Sequence, residues 1–184
     1  MQGTNAARPP SKTREDAPGR PPSIWRELGA LGIKIAIILA IALIVFTFIY
    51  GLHYNVDDGM KPALKDGDLA VYYRFGKSYT AGDLVVLNYL GQTQVRRVVA
   101  TAGDVVDITQ EGLSINGALQ QEVDIYEATQ RYDEGVNFPI TLEEGQIFVL
   151  GDARLSASDS RIYGALNVKD TMGTVIAVIR RRSL

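Results

Sequence analysis

The longest apolar run of the chain, IAIILAIALIVFTFIYGL, covers residues 35–52 and contains no charged side chain. Its eighteen residues, at about 1.5 Å of rise each, span most of a hydrocarbon core of about 30 Å. The run predicts a membrane-spanning helix, which we place at residues 29–52, with Ile24 and Leu28 as alternative starts. A cleaved secretory signal is the competing interpretation, but its apolar region would be only about 7–15 residues long.

Beyond residue 52, apolar residues come in short runs rich in valine, isoleucine and aromatic side chains, separated by glycine-containing turns. Such runs are typical of β-strands. Asn116 and Gly117 lie between two short alternating runs and predict a type I′ hairpin turn, whereas residues 123–138 lack a regular period and predict an extended lobe. The expected fold class is therefore mainly β, with a barrel-like or packed-sheet domain over residues 53–184. The strand-like runs are 68–74, 83–89, 93–100, 104–108, 145–152 and 171–181, and the predicted hairpin covers 113–120.

The charges that flank the apolar run predict its orientation. Residues 1–34 carry six Lys and Arg against three Asp and Glu, and two aspartates, Asp57 and Asp58, follow soon after the run. Because basic residues accumulate on the cytoplasmic side, we expect a single-pass protein of the cell membrane with a cytoplasmic N-terminus and an extracellular C-terminal domain. Five of the seven prolines lie in the first 24 residues, so residues 1–28 are predicted to be a disordered cytoplasmic tail.

The composition excludes several kinds of site. The chain has no cysteine and one histidine, His53, which rules out thiol nucleophiles, thiolate metal sites and histidine-rich metal centres. Residues 53–184 carry 13 Lys and Arg against 18 Asp and Glu, an acidic balance that argues against a nucleic-acid partner. We expect no metal and no cofactor, because the sequence contains no metal-binding or nucleotide-binding motif.

Four ordered segments have the character of motifs. They are GMKPALKDGD at 59–68, GDLVVL at 82–87, RRVVATAGD at 96–104 and GDARLSASDSRIYG at 151–164. Following a single apolar helix, they resemble the type I signal peptidase family, membrane-anchored Ser-Lys proteases that cut signal peptides from exported proteins. The family's first segment reads S-M-x-P-T-L-x-x-G-D, and its last reads G-D-N-R-x-x-S-x-D-S-R-x-x-G. The resemblance covers most of residues 30–180.

Most framework positions of these segments keep the family's residue type. The resemblance implies that Asp58, Gly59, Met60, Pro62 and Arg96 line the peptide-binding position. The other positions have structural roles by the same resemblance: Leu64, Gly67, Asp68, Arg97, Gly103, Asp104, Gly151, Asp152, Arg154, Asp159, Ser160, Arg161 and Gly164.

The reactive residues of the family are missing. The resemblance places the nucleophilic serine at Gly59 and the lysine base at Arg96. Glycine has no side-chain oxygen, and a guanidinium stays protonated in proteins, so neither residue can act in a Ser-Lys dyad. Three further polar positions of the family are Ala63, Ala153 and Ala157 in this chain. A motif framework without the dyad predicts a pseudoenzyme, which is a protein that has the fold of an enzyme but not its catalytic activity.

Other serines are the natural candidates to replace the missing nucleophile. Ser156, Ser158 and Ser160 all lie in the last motif segment. Ser160 matches a family serine that accompanies the catalytic serine without replacing it, and in an extended segment the alternation of side chains turns Ser158 away from the site. We therefore expect no rescued dyad.

Arg96 is predicted to point into the former active site. A buried unpaired charge is costly, so we expect a carboxylate partner for its guanidinium. Asp58 and Asp159 are the two candidates that the sequence suggests.

Loss of the dyad leaves the family's groove, which by resemblance accepts an extended peptide through strand addition. In size, single anchor and eroded dyad the chain is similar to signal peptidase-like proteins of Gram-positive pilus operons, which are thought to act with sortase and pilins. The resemblance implies an accessory or chaperone factor that binds a pilin or preprotein segment, with sortase as a further partner and membrane lipid around the helix. The alternatives are an active signal peptidase I with an unrecognised nucleophile and a purely structural membrane subunit.

Overall fold

The structure is a computed structural model that describes residues 24–181. The tail predicted at 1–28 falls mainly outside the described residues. Its last part, from Ile24 onward, belongs to the first helix.

Helix α1 covers Ile24–Ile44 and continues as a π-helical turn over Val45–Ile49. Together they form one segment that is long and apolar enough to cross a membrane, as expected of a membrane protein. The predicted helix end at Leu52 is wrong, because strand β1 already begins at Tyr50. Pairing with a strand later in the chain overrides the local apolar pattern there.

The rest of the described chain is mainly β, as the sequence predicts. Asn116 (φ 54°) and Gly117 (φ 79°) both have positive φ, as a type I′ turn requires. A short helix, α2, covers Ser160–Tyr163, and a 3₁₀ turn covers Val168–Asp170. The strands are β1 Tyr50–Tyr54, β2 Leu69–Tyr73, β3 Leu84–Tyr89, β4 Gln92–Thr101, β5 Val105–Thr109, β6 Gly112–Ile115, β7 Ala118–Leu119, β8 Ile140–Thr141, β9 Gln146–Leu150, β10 Leu166–Asn167 and β11 Thr171–Ile179.

Two antiparallel sheets build the β domain. The larger sheet has the strand order β1-β2-β11-β3-β4-β9-β10, and the smaller one has the order β7-β6-β5-β8. Strand β4 pairs with β3 along most of its length, but it pairs with β9 only from Arg97 to Thr101. The first half of β4 therefore has one edge without a strand neighbour in the described part of the chain.

The segment with the degenerate motif is anchored in the core. Met60 and Leu64 have no exposed surface and pack in one cluster with Ala70, Tyr72 and Val95. Truncation of buried side chains of this size costs about 2–5 kcal/mol. These two residues therefore fix the position of the loop that precedes them.

The lobe predicted at 123–138 contains turns but no strand or helix. Arg154 holds it to the sheet, and this side chain is only 1% exposed. Its guanidinium donates to Thr129 Oγ1 at 2.8 Å, to the Gly151 carbonyl at 2.5 Å and to the Glu122 carboxylate. The lobe is thus held by these side-chain contacts together with a backbone hydrogen bond from Val136 N–H to the Arg161 carbonyl at 2.9 Å.

Candidate functional site

The position expected for the nucleophile lies in a short loop after β1. Asn55 fixes the start of this loop, because its N–H donates to the Asp68 carbonyl (2.8 Å) and its carbonyl accepts from Gly67 N–H (2.9 Å). Its side chain donates to the carbonyls of Asp57 (2.6 Å) and Lys65 (3.0 Å). The Gly67-Asp68 motif thus supports the backbone of the loop.

Gly59 has both backbone groups engaged. Its N–H donates to Asp57 Oδ1 at 2.5 Å, and its carbonyl accepts from Ala153 N–H at 3.0 Å. Acyl-transfer enzymes use backbone N–H groups at the nucleophile to stabilise the oxyanion. A carboxylate already holds this N–H, so a developing negative charge beside Gly59 would be repelled rather than stabilised.

Arg96 lies beside Gly59, with a side chain that is 3% exposed. Its Nε donates to the Ser158 carbonyl at 2.8 Å. Its Nη1 donates to the Val95 carbonyl at 2.5 Å and to Asp57 Oδ2 at 3.1 Å. The guanidinium therefore ties β4 to the loop after β1 and to the loop before α2.

The carboxylate partner of Arg96 is Asp57, so both candidates named from the sequence are wrong. Asp58 pairs with Lys61 at 2.6 Å, and this hydrogen bond lowers the pKa of Asp58. Asp159 is fully buried and pairs with Arg161 at 2.8 Å. Each is already engaged by a cation close to it in the sequence.

The Asp57 carboxylate and the Arg96 guanidinium both crowd the space that a side chain at position 59 would need. A Cβ built on Gly59 would lie 3.1 Å from Nη2 and 3.2 Å from Cζ of Arg96, and 2.8 Å from Asp57 Oδ1. Carbon atoms normally keep about 3.5–4.0 Å from non-bonded neighbours. The absence of a side chain at 59 and the presence of arginine at 96 are therefore sterically matched.

Of the three serines near the site, only Ser160 has its hydroxyl engaged in a hydrogen bond with another described residue, whereas Ser156 and Ser158 line the cleft beside Gly59. Ser160 is buried, and its Oγ accepts from Val149 N–H at 3.0 Å. Ser158 offers its carbonyl to Arg96, and Ser156 is exposed. Within residues 24–181, no lysine amine is hydrogen-bonded to any of the three serines, since Lys61 pairs with Asp58. The geometry of these described residues contains no alternative Ser-Lys pair.

The substituted alanines line the same region. Ala157 is buried, and a Cβ built on Gly151 would lie 2.1 Å from the Ala157 Cβ. Ala153 contributes its N–H to the Gly59 carbonyl. Ala63 lines a neighbouring cleft with Pro62 and Arg97. Where the resemblance places polar groups, this chain has methyl groups that offer no hydrogen bond.

The framework residue Arg97 forms a forked ion pair with Asp152. Nε donates to Oδ1 at 2.7 Å and Nη2 to Oδ2 at 2.6 Å. The hydrogen bond to Asp152 raises the pKa of Arg97 above its ordinary value. Forked pairs of this kind fix orientation as well as charge, so Arg97 connects β4 to the loop after β9.

The other framework residues support turns and loops. Asp104 accepts from Thr101 N–H at 2.9 Å, and Gly103 has φ of 91° in the same turn. Asp159 Oδ2 accepts from Gly151 N–H at 3.0 Å, which joins the two ends of the last motif segment. Gly103 and Asp104 therefore support the turn between β4 and β5, whereas Asp159 supports the last motif segment.

A cleft of about 630 Å³ opens beside Gly59 and Arg96. Three of the predicted binding residues line it, namely Asp58, Gly59 and Arg96. Met60 does not, because it is buried in the core, and Pro62 lines an adjacent cleft instead. The full lining is Val56, Asp57, Asp58, Gly59, Gln92, Thr93, Gln94, Arg96, Ser156 and Ser158.

The first half of β4 forms one wall of the cleft. Val98 exchanges hydrogen bonds with Asp83 and Gly82 on the β3 side, and antiparallel pairing alternates the direction of successive backbone groups. The backbone groups of Thr93 and Val95 therefore point to the edge that β9 leaves free. Thr93 is partly exposed, whereas Val95 is fully covered and its carbonyl is held by Arg96.

Several lining residues were not singled out from the sequence. Gln92, Thr93 and Gln94 form the β4 wall, and Asp57 provides the ion pair. The only signal for Gln92–Gln94 is their position immediately before Arg96 on a predicted strand. No group of three His, Asp or Glu side chains suited to a metal ion occurs within residues 24–181.

Comparisons with known proteins agree on one family. The description "Signal peptidase, peptidase S26" matches residues 28–180. The chain is 28% identical over 165 residues to the probable signal peptidase I-1 of a Synechocystis species, covering 83% of this chain and 82% of that protein. It is 29% identical over 153 residues to signal peptidase I P of Bacillus subtilis subsp. natto, covering 76% and 82%.

A further curated protein and a solved structure are also similar to this chain. The chain is 30% identical over 158 residues to signal peptidase I U of Bacillus subtilis strain 168, covering 77% of this chain and 83% of that protein. A crystal structure of a signal peptidase I from Enterococcus faecalis V583 aligns with a TM-score of 0.45 and 23% identity, covering 54% of this chain and 98% of that chain. The match over residues 28–180 includes all eleven strands and both degenerate positions, so the chain belongs to the signal peptidase family, peptidase S26.

Proposed function

We propose that this chain is a membrane-anchored pseudoenzyme that holds an extended peptide segment without cutting it. The observation that carries the proposal is that Gly59 and Arg96 stand at the positions of the nucleophile and the base, with Arg96 Nη2 3.1 Å from where a Cβ at 59 would lie. A side chain at 59 would crowd both Arg96 and Asp57, whose Oδ1 lies 2.8 Å from the same Cβ position.

Three separate defects oppose catalysis. Gly59 has no oxygen for attack, Arg96 has no proton that it can readily lose, and Asp57 holds the N–H that would stabilise an oxyanion. In a serine protease, removal of the nucleophile or the base alone costs about 10⁶ in turnover. With all three defects present, we expect no measurable peptidase activity.

The proposed ligand is a signal-peptide or pilin segment in extended form. Strand addition needs free backbone groups on a sheet edge, and the Thr93 edge of β4 offers them. The next residue whose backbone groups point to this edge is Val95. It is fully covered, so the accessible edge ends there. The groove would therefore accept a short stretch of peptide between Gln92–Gln94 and the loop at Val56–Asp58.

The biological role that we propose is that of an accessory or chaperone factor in sortase-dependent pilus assembly of Gram-positive bacteria. The N-terminal helix would hold the domain at the cell membrane, with the N-terminus in the cytoplasm and the groove outside. Retention of pilin segments near the membrane would serve assembly by sortase. The similarity to dyad-less pilus-operon proteins supports this role.

The alternative is an active signal peptidase I that cleaves the signal peptides of exported proteins. The relatives reported above are called signal peptidase I, which supports the family without favouring this alternative more strongly. It requires Ser156, Ser158 or Ser160 to act as nucleophile with a base. The engagement of Ser160 Oγ by Val149 N–H weighs against that serine.

Binding is tested with the full chain in lipid nanodiscs and fluorescent peptides from a signal peptide and from a pilin. Thr93→Pro removes the edge N–H and should abolish the anisotropy change, because an edge strand tolerates proline while losing a donor. Thr93→Ala keeps the N–H and serves as the matched control. Equal loss in both variants, or no binding by the unchanged chain, would contradict the proposal.

A further inference from the structure

The hydrogen bonds of Arg96 leave one nitrogen without a partner. Nε and Nη1 are both engaged, but Nη2 has no acceptor among residues 24–181. It is not enclosed either, because the fully enclosed unpaired side-chain atoms of the described chain are His53 Nε2, Asn55 Oδ1 and Tyr163 Oη. A charged donor thus faces the cleft directly above Gly59.

The position of this donor coincides with the end of the accessible strand edge. A peptide that pairs with Thr93 can advance only to Val95, whose surface is covered and whose carbonyl is bonded to Arg96. The guanidinium of Arg96 therefore stands at the point where an added strand must stop. A peptide bound parallel to β4 would place its last residue against a cation.

The contacts of Asp57 show which chemical group the Arg96 guanidinium and the Gly59 N–H bind. One carboxylate oxygen receives the Gly59 N–H at 2.5 Å, and the other receives Arg96 Nη1 at 3.1 Å. The Asp57 side chain is 32% exposed, so a side-chain rotation can take it into solvent. A carboxylate supplied by a ligand could use the same donors and also reach Nη2.

We propose that Arg96 and the Gly59 N–H form a receptor for the free C-terminal carboxylate of a bound peptide, and that Asp57 occupies it as an internal substitute. This inference rests on the proposed peptide-holding function and specifies the ligand as a peptide that ends at the site. Cationic donors bind carboxylates through hydrogen bonds about twice as strong as neutral ones. Capture of a terminal carboxylate is an established mode of peptide recognition.

The proposal predicts that Asp57 competes with the ligand. An incoming carboxylate must displace Asp57, since two anions cannot share the same donors without repulsion. Asp57→Asn keeps the shape of the side chain and removes its charge. It should therefore increase the affinity for a carboxylate-terminated peptide.

The test compares two peptides of ten residues that end in Ala-Gln-Ala, one with a free carboxylate and one with a C-terminal amide. Their binding to the full chain in nanodiscs is measured by anisotropy. The acid should bind about tenfold more tightly than the amide, as expected for one charge-assisted contact. Asp57→Asn should widen this ratio, and Arg96→Gln should abolish it.

The Asp107–Arg131 ion pair supplies matched controls, because it joins the same residue types at 2.7 Å and its Arg131 lines a different cavity. Asp107→Asn and Arg131→Gln should leave the ratio unchanged. Equal affinity of acid and amide for the unchanged chain overturns the carboxylate receptor but leaves the peptide-holding function intact. Failure of both peptides to bind overturns both proposals. Both of these outcomes are measured on the unchanged chain, so neither depends on the folding of a variant.

Discussion

Arg96 and Asp57, which lie 39 positions apart in the sequence, form an ion pair at 3.1 Å beside Gly59. Through Asp57 the pair also engages the N–H of Gly59. The two side chains thus hold the backbone at the position where the family's motif has its serine.

The steric match between Gly59 and Arg96 predicts non-additive effects on stability. Gly59→Ala should lower the free energy of unfolding by about 1–2 kcal/mol, since its methyl group meets the guanidinium and overpacking costs about 1–3 kcal/mol. In an Arg96→Ala background the same substitution should cost less, and the cost that remains reflects Asp57 Oδ1, which lies 2.8 Å from the position of the added methyl group. Chemical denaturation of the four proteins of this double-mutant cycle measures the coupling. Additive effects would mean that the two positions do not share a volume.

Restoration of peptidase activity should require a change at Asp57. In Gly59→Ser with Arg96→Lys, the Asp57 carboxylate would keep the introduced amine protonated and would still hold the N–H of residue 59. We expect no cleavage of a signal-peptide substrate by this double variant, and a higher rate when Asp57→Ala is added. Cleavage by the double variant at the rate of the triple variant would show that Asp57 is not a barrier.

Ser160 should contribute to stability and not to chemistry. Ser160→Ala leaves the buried Val149 N–H without an acceptor, which should cost about 1–3 kcal/mol. Ser156→Ala changes an exposed side chain and should alter the free energy of unfolding by less than about 0.5 kcal/mol. Thermal and denaturant unfolding of both variants checks the difference. If Ser160→Ala left the free energy of unfolding unchanged, this hydroxyl would have no structural role.

His53 predicts a pH dependence of stability. Burial lowers its pKa below the ordinary value of 6.5, while the nearby Asp57 raises it in part. Because the unfolded chain takes up the proton first as the pH falls, stability should be constant above about pH 6.5 and decrease below it until the folded form is also protonated. His53→Gln should lack this decrease when denaturation is followed between about pH 7.5 and 5.5. If the stability of the unchanged chain and of His53→Gln fell in parallel with pH, the pH dependence would come from other titratable groups.

The local signals in the sequence predict the fold class well. The strand-like runs, the Asn116-Gly117 hairpin and the apolar helix all follow from short-range pattern and appear in the structure. The helix end was misplaced because Tyr50–Tyr54 pairs with β2, and such pairing depends on residues far away in the chain. An apolar run alone does not show where a helix ends when the next residues of the run form a strand.

The site was predictable in its positions but not in its contacts. Gly59 and Arg96 follow from the motif resemblance. Asp57 was missed as the partner because Asp57 and Asp58 both lie within two positions of Gly59, and the sequence does not show which of them faces Arg96. Asp58 and Asp159 were excluded only by their pairing with Lys61 and Arg161. The choice among carboxylates is made by tertiary geometry.

The most direct test of the central claim is mass spectrometry of a signal-peptide substrate after incubation with the full chain in nanodiscs. The chain of an active Bacillus signal peptidase I, treated identically, shows that the substrate can be cut. We predict that the substrate is bound and recovered intact. Recovery of cleaved product that disappears in Ser158→Ala or Ser160→Ala would contradict the account.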